Sequence, residues 1–152
     1  MKKLLPALFF AALFLTFTAC GSDDDEPNNK PVSQKIESVY QNENDVHYVF
    51  DIKMDEDSSS IYLYNVVFSI GESTSPAMNI RIDAPMTVDN SGKVFTYSGT
   101  NIIPFRLSGT TPVPMPSFPV TNLSCVVNTS KKTFVMSFDC HGGSFQDQGA
   151  LK

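Results

Sequence analysis

From residue 33 onward, hydrophobic and polar residues alternate over short segments, the pattern of half-buried β-strands. β-branched and aromatic residues dominate these segments, and Gly, Pro, Asn or Asp interrupts them every 8 to 14 residues or so, at about the spacing of strands and turns. No apolar repeat of about 3.6 residues runs through this part of the chain, so we expect few helices. The pattern predicts nine strands, at residues 34–40, 46–54, 60–70, 78–83, 93–97, 102–107, 120–127, 133–140 and 144–151.

This spacing is typical of an antiparallel all-β domain. We expect a single β-sandwich or a small flattened β-barrel of about 8 to 9 strands, formed by residues 33–152. A segment of roughly 120 residues can bury one hydrophobic core but not two. The composition agrees, since 41% of the 152 residues are hydrophobic, too many for a disordered chain.

The first predicted hairpin has apolar sets on both strands. The second strand contributes one face, with Val46, Tyr48, Phe50, Ile52 and Met54. The third strand contributes another, with Tyr62, Tyr64, Val66, Phe68 and Ile70. If residues 55–59 form the loop, Phe50 lies opposite Tyr64 and the two apolar sets coincide. Ile61 and Leu63 make the other face of the third strand apolar too, which predicts a central or covered strand.

A later hairpin places two cysteines in the core. Pairing Val127 with Phe134 puts Cys125 opposite Met136 and Cys140 opposite Thr121. The two thiols then lie four residues apart along the ladder, roughly 13 Å, whereas a disulfide needs Cα atoms within about 7 Å. An exported domain with two cysteines is usually a candidate for a disulfide. Here the geometry favours free buried thiols, and a bridge is the alternative.

Residues 109–119 contain four of the ten prolines. Proline cannot donate a hydrogen bond to a β-ladder, so this segment cannot be a central strand. We favour a stiff crossover laid over a barrel end or a sandwich edge. The alternative is an exposed apolar binding ledge with Val113, Met115 and Phe118 as its contacts.

The side chains capable of chemistry form no recognisable site. His47 and His141 are the two histidines, and neither has the spacing of a zinc ligand or a nucleophile elbow. Residues 55–57 are acidic and could bind calcium through oxygen ligands, although a polar hairpin loop has the same composition. We therefore predict no catalytic residues, no metal and no cofactor. The net charge of −5 also disfavours nucleic acid, because phosphate contacts need clustered Lys and Arg.

The N-terminus predicts export. Lys2 and Lys3 precede an apolar run at residues 4–17 that ends in small residues, as in a secretory signal. The run is shorter than the roughly 20 residues of a membrane span, and an uncleaved anchor is the alternative. We expect residues 1–19 to be a signal helix. Residues 20–32, rich in Asp, Asn and Pro, would form a flexible tether.

The residues around Cys20 predict where the exported protein is located. Phe17-Thr18-Ala19-Cys20 resembles a bacterial lipobox, in which the cysteine is lipidated and becomes the mature N-terminus, although Phe17 replaces the usual Leu or Val. The next residues are similar to the acidic export signal of Bacteroidetes-type surface lipoproteins, and they are Ser22, Asp23, Asp24, Asp25 and Glu26. The resemblance implies a protein anchored to the outer membrane through lipid on Cys20 and facing the cell exterior. The acidic run could also be a solvated linker.

The domain itself carries a looser resemblance. Its alternating strands, its Tyr- and Asn-rich turns and its closing hairpin, residues 138–151, resemble the small calycin-like (lipocalin-like) domains of Bacteroidetes lipoproteins. An immunoglobulin-like sandwich would show the same periodicity, although this chain has no Trp.

Two function classes follow. The first is a non-enzymatic surface binding or structural accessory domain that contacts a protein or a glycan. The alternative is a lipocalin-like carrier of a small apolar ligand. No residue pattern supports an enzyme.

Overall fold

The computed structural model describes residues 33–54, 56–70 and 72–152, with the backbone alone at residue 70. The predicted signal helix, Cys20, the export signal and the tether lie outside these residues. The described residues form strands and turns without a helix. Their strands are β1 (Ser33–Glu37), β2 (His47–Lys53), β3 (Ser59–Val66), β4 (Ser69–Ile70), β5 (Ser73–Thr74), β6 (Met78–Ala84), β7 (Met86–Val88), β8 (Val94–Gly99), β9 (Phe105–Ser108), β10 (Thr111–Pro114), β11 (Val120–Asn128), β12 (Thr133–Cys140) and β13 (Gly143–Ala150).

Two antiparallel sheets pack face to face. One has six strands in the order β1-β2-β3-β6-β9-β10, and the other has five in the order β13-β12-β11-β8-β7. β4 and β5 form a small separate hairpin. The sheets do not close on each other. The predicted β-sandwich is therefore confirmed, and the predicted barrel is wrong. All nine predicted segments contain a strand. The predicted number of strands is too low because it misses the short strands β4, β5, β7 and β10.

Large aromatic side chains fill the space between the sheets. The ring of Phe134 on β12 lies 5.0 Å from that of Tyr48 and 5.4 Å from that of Phe50, both on β2. Phe50 also lies 6.4 Å from Tyr97 on β8. All four side chains are buried, and their rings are tilted, which is a favourable geometry for aromatic pairs. These contacts join the two sheets across the middle of the core.

The hairpin of β2 and β3 differs from its predicted register. Phe50 lies opposite Ile61, so the predicted pairing with Tyr64 is wrong by three residues. Ile61 and Leu63 point into the core, while Tyr62 and Tyr64 lie on the outer face of the sheet. Aliphatic side chains have no polar atom to satisfy, whereas a Tyr hydroxyl is more easily satisfied at a surface in contact with water. The central position predicted for this strand is confirmed, with β2 on one side and β6 on the other.

The hairpin of β11 and β12 follows its predicted register over most of its length. Cys125 lies opposite Met136, as predicted, but Cys140 lies opposite Val120 instead of Thr121. The difference comes from a bulge between Thr121 and Ser124, which contains a left-handed residue, Asn122, with φ of 52°. A bulge adds one residue to one strand and so shifts the pairing beyond it.

The two cysteines are free, which confirms the favoured prediction. Cys125 is fully buried, and Cys140 is half-buried with its Sγ 3.5 Å from the carbonyl oxygen of Phe118. Burial raises the pKa of both thiols, so the reactive thiolate is scarce at neutral pH.

We expect the two thiols to react at different rates. A thiol reagent should modify Cys140 slowly in the native protein and Cys125 only after unfolding, because reagent can reach only the half-buried sulfur. Peptide mapping after timed labelling, with and without denaturant, measures both rates. A disulfide-linked peptide pair from a non-reduced sample would contradict the structure.

Two buried tyrosines differ in what their hydroxyls contact. The Tyr48 hydroxyl donates a hydrogen bond to Asp147 on β13, which ties the two sheets together. Burial, followed by this bond and the charge of Asp147, raises the pKa of Tyr48. The Tyr97 hydroxyl is buried and has no hydrogen-bond partner among the described residues.

Removal of the Tyr48 hydroxyl should therefore lower stability, whereas removal of the Tyr97 hydroxyl should not. Tyr48→Phe should lower the free energy of unfolding by about 1.5–3 kcal/mol, the range for a hydrogen bond to a charged group. Tyr97→Phe should leave it unchanged or raise it by up to about 1 kcal/mol, because an unpaired buried hydroxyl is unfavourable. Urea unfolding of the two matched variants measures the difference. A loss in Tyr97→Phe as large as that in Tyr48→Phe would be inconsistent with the unpaired hydroxyl.

Candidate functional site: an apolar cleft beside the proline-rich segment

The proline-rich segment is an edge strand followed by a crossover. β10 pairs with β9, placing Val113 opposite Arg106, and no strand of the described residues pairs with its other side. The chain then turns, with the Met115 amide donating to the carbonyl of Pro104 at 2.9 Å, and continues to β11 in the other sheet. The prediction that residues 109–119 do not form a central strand is therefore confirmed. Pro112 and Pro114 also keep this edge from accepting a further strand.

The three residues of the binding ledge, the alternative to a plain crossover, do not share one environment. Val113 is 51% exposed on the edge strand. Met115 and Phe118 are half-buried, and both line an apolar cleft of about 170 Å³. The structure therefore brings Met115 and Phe118 together and leaves Val113 outside the cleft lining. The remaining lining residues are Phe68, Ser75, Met78, Ile80, Pro104, Val120, Cys140 and His141.

Both sheets contribute to this cleft, at one end of the sandwich. Met78 and Ile80 begin β6 in the six-stranded sheet, while Val120 begins β11 and Cys140 ends β12 in the other. The alternation along β6 and β11 turns Ile80 and Val120 inward. The cleft is thus an extension of the core that the sheets leave open at their ends.

His141 lies at the border of the cleft in a left-handed turn. His141 and Gly142 connect β12 to β13 with φ of 50° and 80°, the left-handed conformation that two-residue hairpin turns require. Residues other than Gly are uncommon in this conformation, but Asn, Asp and His occur in it more often than other side chains do. The turn holds the exposed imidazole with its centroid 4.7 Å from that of the Phe118 ring. The sequence alone did not show this pairing, although a His-Gly pair between two strands was a usable turn signal.

The cleft offers hydrocarbon, aromatic and thioether surface and almost no polar contact. Among the described residues that line it, none carries a carboxylate, ammonium or guanidinium group. The Ser75 hydroxyl accepts a hydrogen bond from the Phe68 amide and donates one to the Pro76 carbonyl, each at 2.9 Å, so it is already satisfied. Such a lining suits an uncharged, apolar group, because a buried charge would find no partner.

A second notable surface lies on the outer face of the six-stranded sheet. The rings of His47 and Tyr64 stack at 4.6 Å, and Tyr62 is nearly parallel to Tyr64 at 6.3 Å. The Arg81 guanidinium lies 4.5 Å from the centroid of Phe105. We call these residues the aromatic stripe. The sequence prediction missed it because the wrong register had placed Tyr62 and Tyr64 in the core. His47 is stacked on Tyr64, and Arg81 lies on Phe105, so these groups already contact one another. The stripe is therefore a weaker candidate for a ligand site than the cleft.

Comparison with protein-family models, with curated proteins and with solved structures finds no match to this chain. In the part of the chain that the structure describes, no helix is long and apolar enough to cross a membrane. Within the same residues, no group of three or more His, Cys, Asp or Glu side chains could hold a metal ion. The acidic loop at residues 55–57 lies partly outside this region.

The cleft residue Phe118 should matter less for stability than the core residue Phe50. Phe50→Ala should lower the free energy of unfolding by about 3–5 kcal/mol, because it leaves a cavity in a closed core. Phe118→Ala should lower it by about 1–2 kcal/mol, because its ring is half-buried beside an open cleft. Thermal or urea unfolding compares the two, with the exposed Val135→Ala as a neutral control. Equal losses of unfolding free energy in the two variants would mean that Phe118 contributes as much to stability as a fully buried core residue, and would contradict its place beside an open cleft.

Proposed function

We propose that this protein is a lipid-anchored surface lipoprotein whose β-sandwich acts as a non-enzymatic binding domain. The observation that supports a binding role is the open apolar cleft lined by Met115 and Phe118, next to the exposed Val113. Soluble proteins usually bury such side chains, and a concave apolar surface is the usual form of a binding site.

The chemistry of the cleft favours binding over catalysis. Acid-base catalysis needs a titratable group within hydrogen-bond reach of the substrate, often oriented by a second polar group. In the cleft the one imidazole, that of His141, packs against a phenyl ring instead of a carboxylate. An apolar group of a partner, such as a protein side chain, matches this lining better than the hydroxyl-rich surface of a glycan does.

The carrier of a small apolar ligand is the second candidate, and the same cleft favours it. Tyr48, Phe50 and Phe134 occupy the space between the sheets, so a ligand would sit at the end of the sandwich instead of its centre. The volume of about 170 Å³ limits such a ligand to a small molecule or to one end of a larger one.

Anchoring and export rest on the sequence around Cys20. Several acyl chains on one cysteine hold a protein stably to a membrane, where a single chain gives only marginal binding. The run from Ser22 to Glu26 would direct the anchored protein to the cell exterior, where the cleft would meet its ligand.

Metabolic labelling with a radioactive fatty acid tests the anchor. The wild-type protein should be labelled and Cys20→Ala should not. Cys125→Ala, a matched loss of a cysteine that is not in the lipobox, should keep the label. Equal labelling of wild type and Cys20→Ala would exclude lipidation at this residue.

The same cells test display at the surface. Alanine at Asp23, Asp24, Asp25 and Glu26 together should keep the lipid label but reduce cleavage by protease added to intact cells. Unchanged cleavage would mean that the acidic run is a linker and not an export signal.

A further inference from the structure

A polar recess, separate from the apolar cleft, opens between the two sheets beside β13. The start of β2, the end of β3 and the middle of β13 contribute to its lining, and no lining residue is shared with the cleft. Its volume is about 570 Å³, which lies within the range of about 300–1,000 Å³ typical of sites for small molecules. The recess is therefore large enough to hold a whole small ligand.

Asp147 places a carboxylate in this recess. Along β13, Phe145, Asp147 and Gly149 are less exposed than the residues between them, so the carboxylate turns inward, toward the other sheet. One of its oxygens accepts a hydrogen bond from the Tyr48 hydroxyl, and the other accepts one from the Gln148 amide at 2.7 Å. These two bonds hold the carboxylate in one orientation. A carboxylate has about four acceptor positions, so about two remain for a ligand.

No positive side chain balances Asp147 in the part of the chain that the structure describes. The salt bridges there join Lys53 to Glu56, Arg81 to Asp83 and Lys152 to Glu37. The other described residues that line the recess are uncharged, and the loop before β2 adds two carboxylates, those of Glu43 and Asp45. A half-buried carboxylate is stabilised by a cation and repels an anion, so the electrostatics of the recess favour a cationic ligand.

The rest of the lining suits an ammonium group on a short carbon chain. An ammonium group has three N–H donors and no acceptor. Besides Asp147, the side chains of Asn44 and Asn65 line the recess and carry carbonyl oxygens that can accept such bonds. Val67 and Phe145 add apolar surface for the carbon chain.

A charge that points inward from an edge strand also discourages pairing with a strand of another chain. That role alone requires no space beside the carboxylate. The chain also covers one end of this edge itself, because the Val39 amide donates to the carbonyl of Ala150 at 2.9 Å and the Gln41 side chain donates to that of Gln148 at 3.3 Å. Protection of the edge therefore leaves the recess unexplained.

We propose that this recess binds a small primary amine, with its ammonium group on Asp147 and its carbon chain against Val67 and Phe145. This site is additional to the apolar cleft and does not depend on the function proposed for it. A failure of amine binding would leave the role of the cleft untouched, and loss of the cleft as a binding site would leave this proposal standing.

Butylammonium, 1-butanol and butyrate test the sign of the charge, because they have similar carbon chains and differ in their polar group. NMR titration of the purified, isotope-labelled protein follows the side-chain amide signals of Asn44 and Asn65, with Asn128 at the end of β11 as a reference outside the recess. We expect saturable shifts with butylammonium, binding of 1-butanol that is weaker by about 10-fold or more, and no binding of butyrate. Equal affinity for butylammonium and 1-butanol, or no saturable shift with butylammonium, would overturn the proposal.

Two Asp→Asn variants form a matched pair. Asp139 on β12 is also half-buried and also accepts two hydrogen bonds, from Ser144 and Asn122, but it lies outside the recess. Asp147→Asn should weaken butylammonium binding by about 10-fold or more, because Asn keeps an acceptor for Tyr48 but removes the charge. Asp139→Asn should leave the affinity unchanged. An equal loss in both variants would indicate general attraction to an acidic protein, and it would overturn the assignment to Asp147, as would unchanged binding by Asp147→Asn.

Two Val→Trp variants test the location without altering Asp147. Val67→Trp should fill the recess and abolish butylammonium binding, whereas Val88→Trp, at an exposed position on β7 outside the lining, should not change it. A dispersed amide spectrum shows that each variant is folded. Butylammonium binding that persists in a folded Val67→Trp variant would place the amine elsewhere and overturn the proposal.

Discussion

The contact of Phe134 with Tyr48 and Phe50 is the interaction on which the rest of the structure depends. It joins β12 of one sheet to β2 of the other with rings that have almost no exposure. The neighbouring strand makes room for it, because Gly149 of β13 lies opposite Phe134 and a Cβ there would come within 2.9 Å of the ring. The hydrogen bond from Tyr48 to Asp147 then ties the same two sheets at the edge of this cluster. Dispersion contacts and burial of these large rings provide the main attraction between the sheets.

The filled centre explains why the candidate site lies at an end of the sandwich. Side chains as large as Tyr and Phe meet across the middle and leave no room there for a ligand. At the end, β6, β11 and β12 begin or finish, and the chain between β10 and β11 crosses from one sheet to the other. Met115 and Phe118 of that crossover cover the apolar ends of the strands only in part, and the cleft is the remaining gap.

Backbone constraints shape the borders of the cleft as much as hydrophobicity does. Pro112 and Pro114 restrict β10 to an edge of the sheet, and the chain leaves the sheet beyond Pro114. The left-handed turn at His141 and Gly142 places an imidazole against Phe118.

The sequence by itself determined the all-β class, the strands of five residues or more and the pairing of Cys125 with Met136, because these follow from local alternation and turn residues. It also excluded a central strand at residues 109–119, because proline lacks the amide proton that a ladder needs. Only the tertiary structure decided which face of β3 is buried. Both faces are apolar, and the choice of Ile61 and Leu63 over Tyr62 and Tyr64 depends on the opposite sheet and on where a hydroxyl can remain hydrated. The cleft likewise could not be derived locally, since Phe68, Phe118 and His141 are far apart in the chain. They meet because the strands that carry or flank them end at the same side of the sandwich, and that placement is a property of the packed sheets.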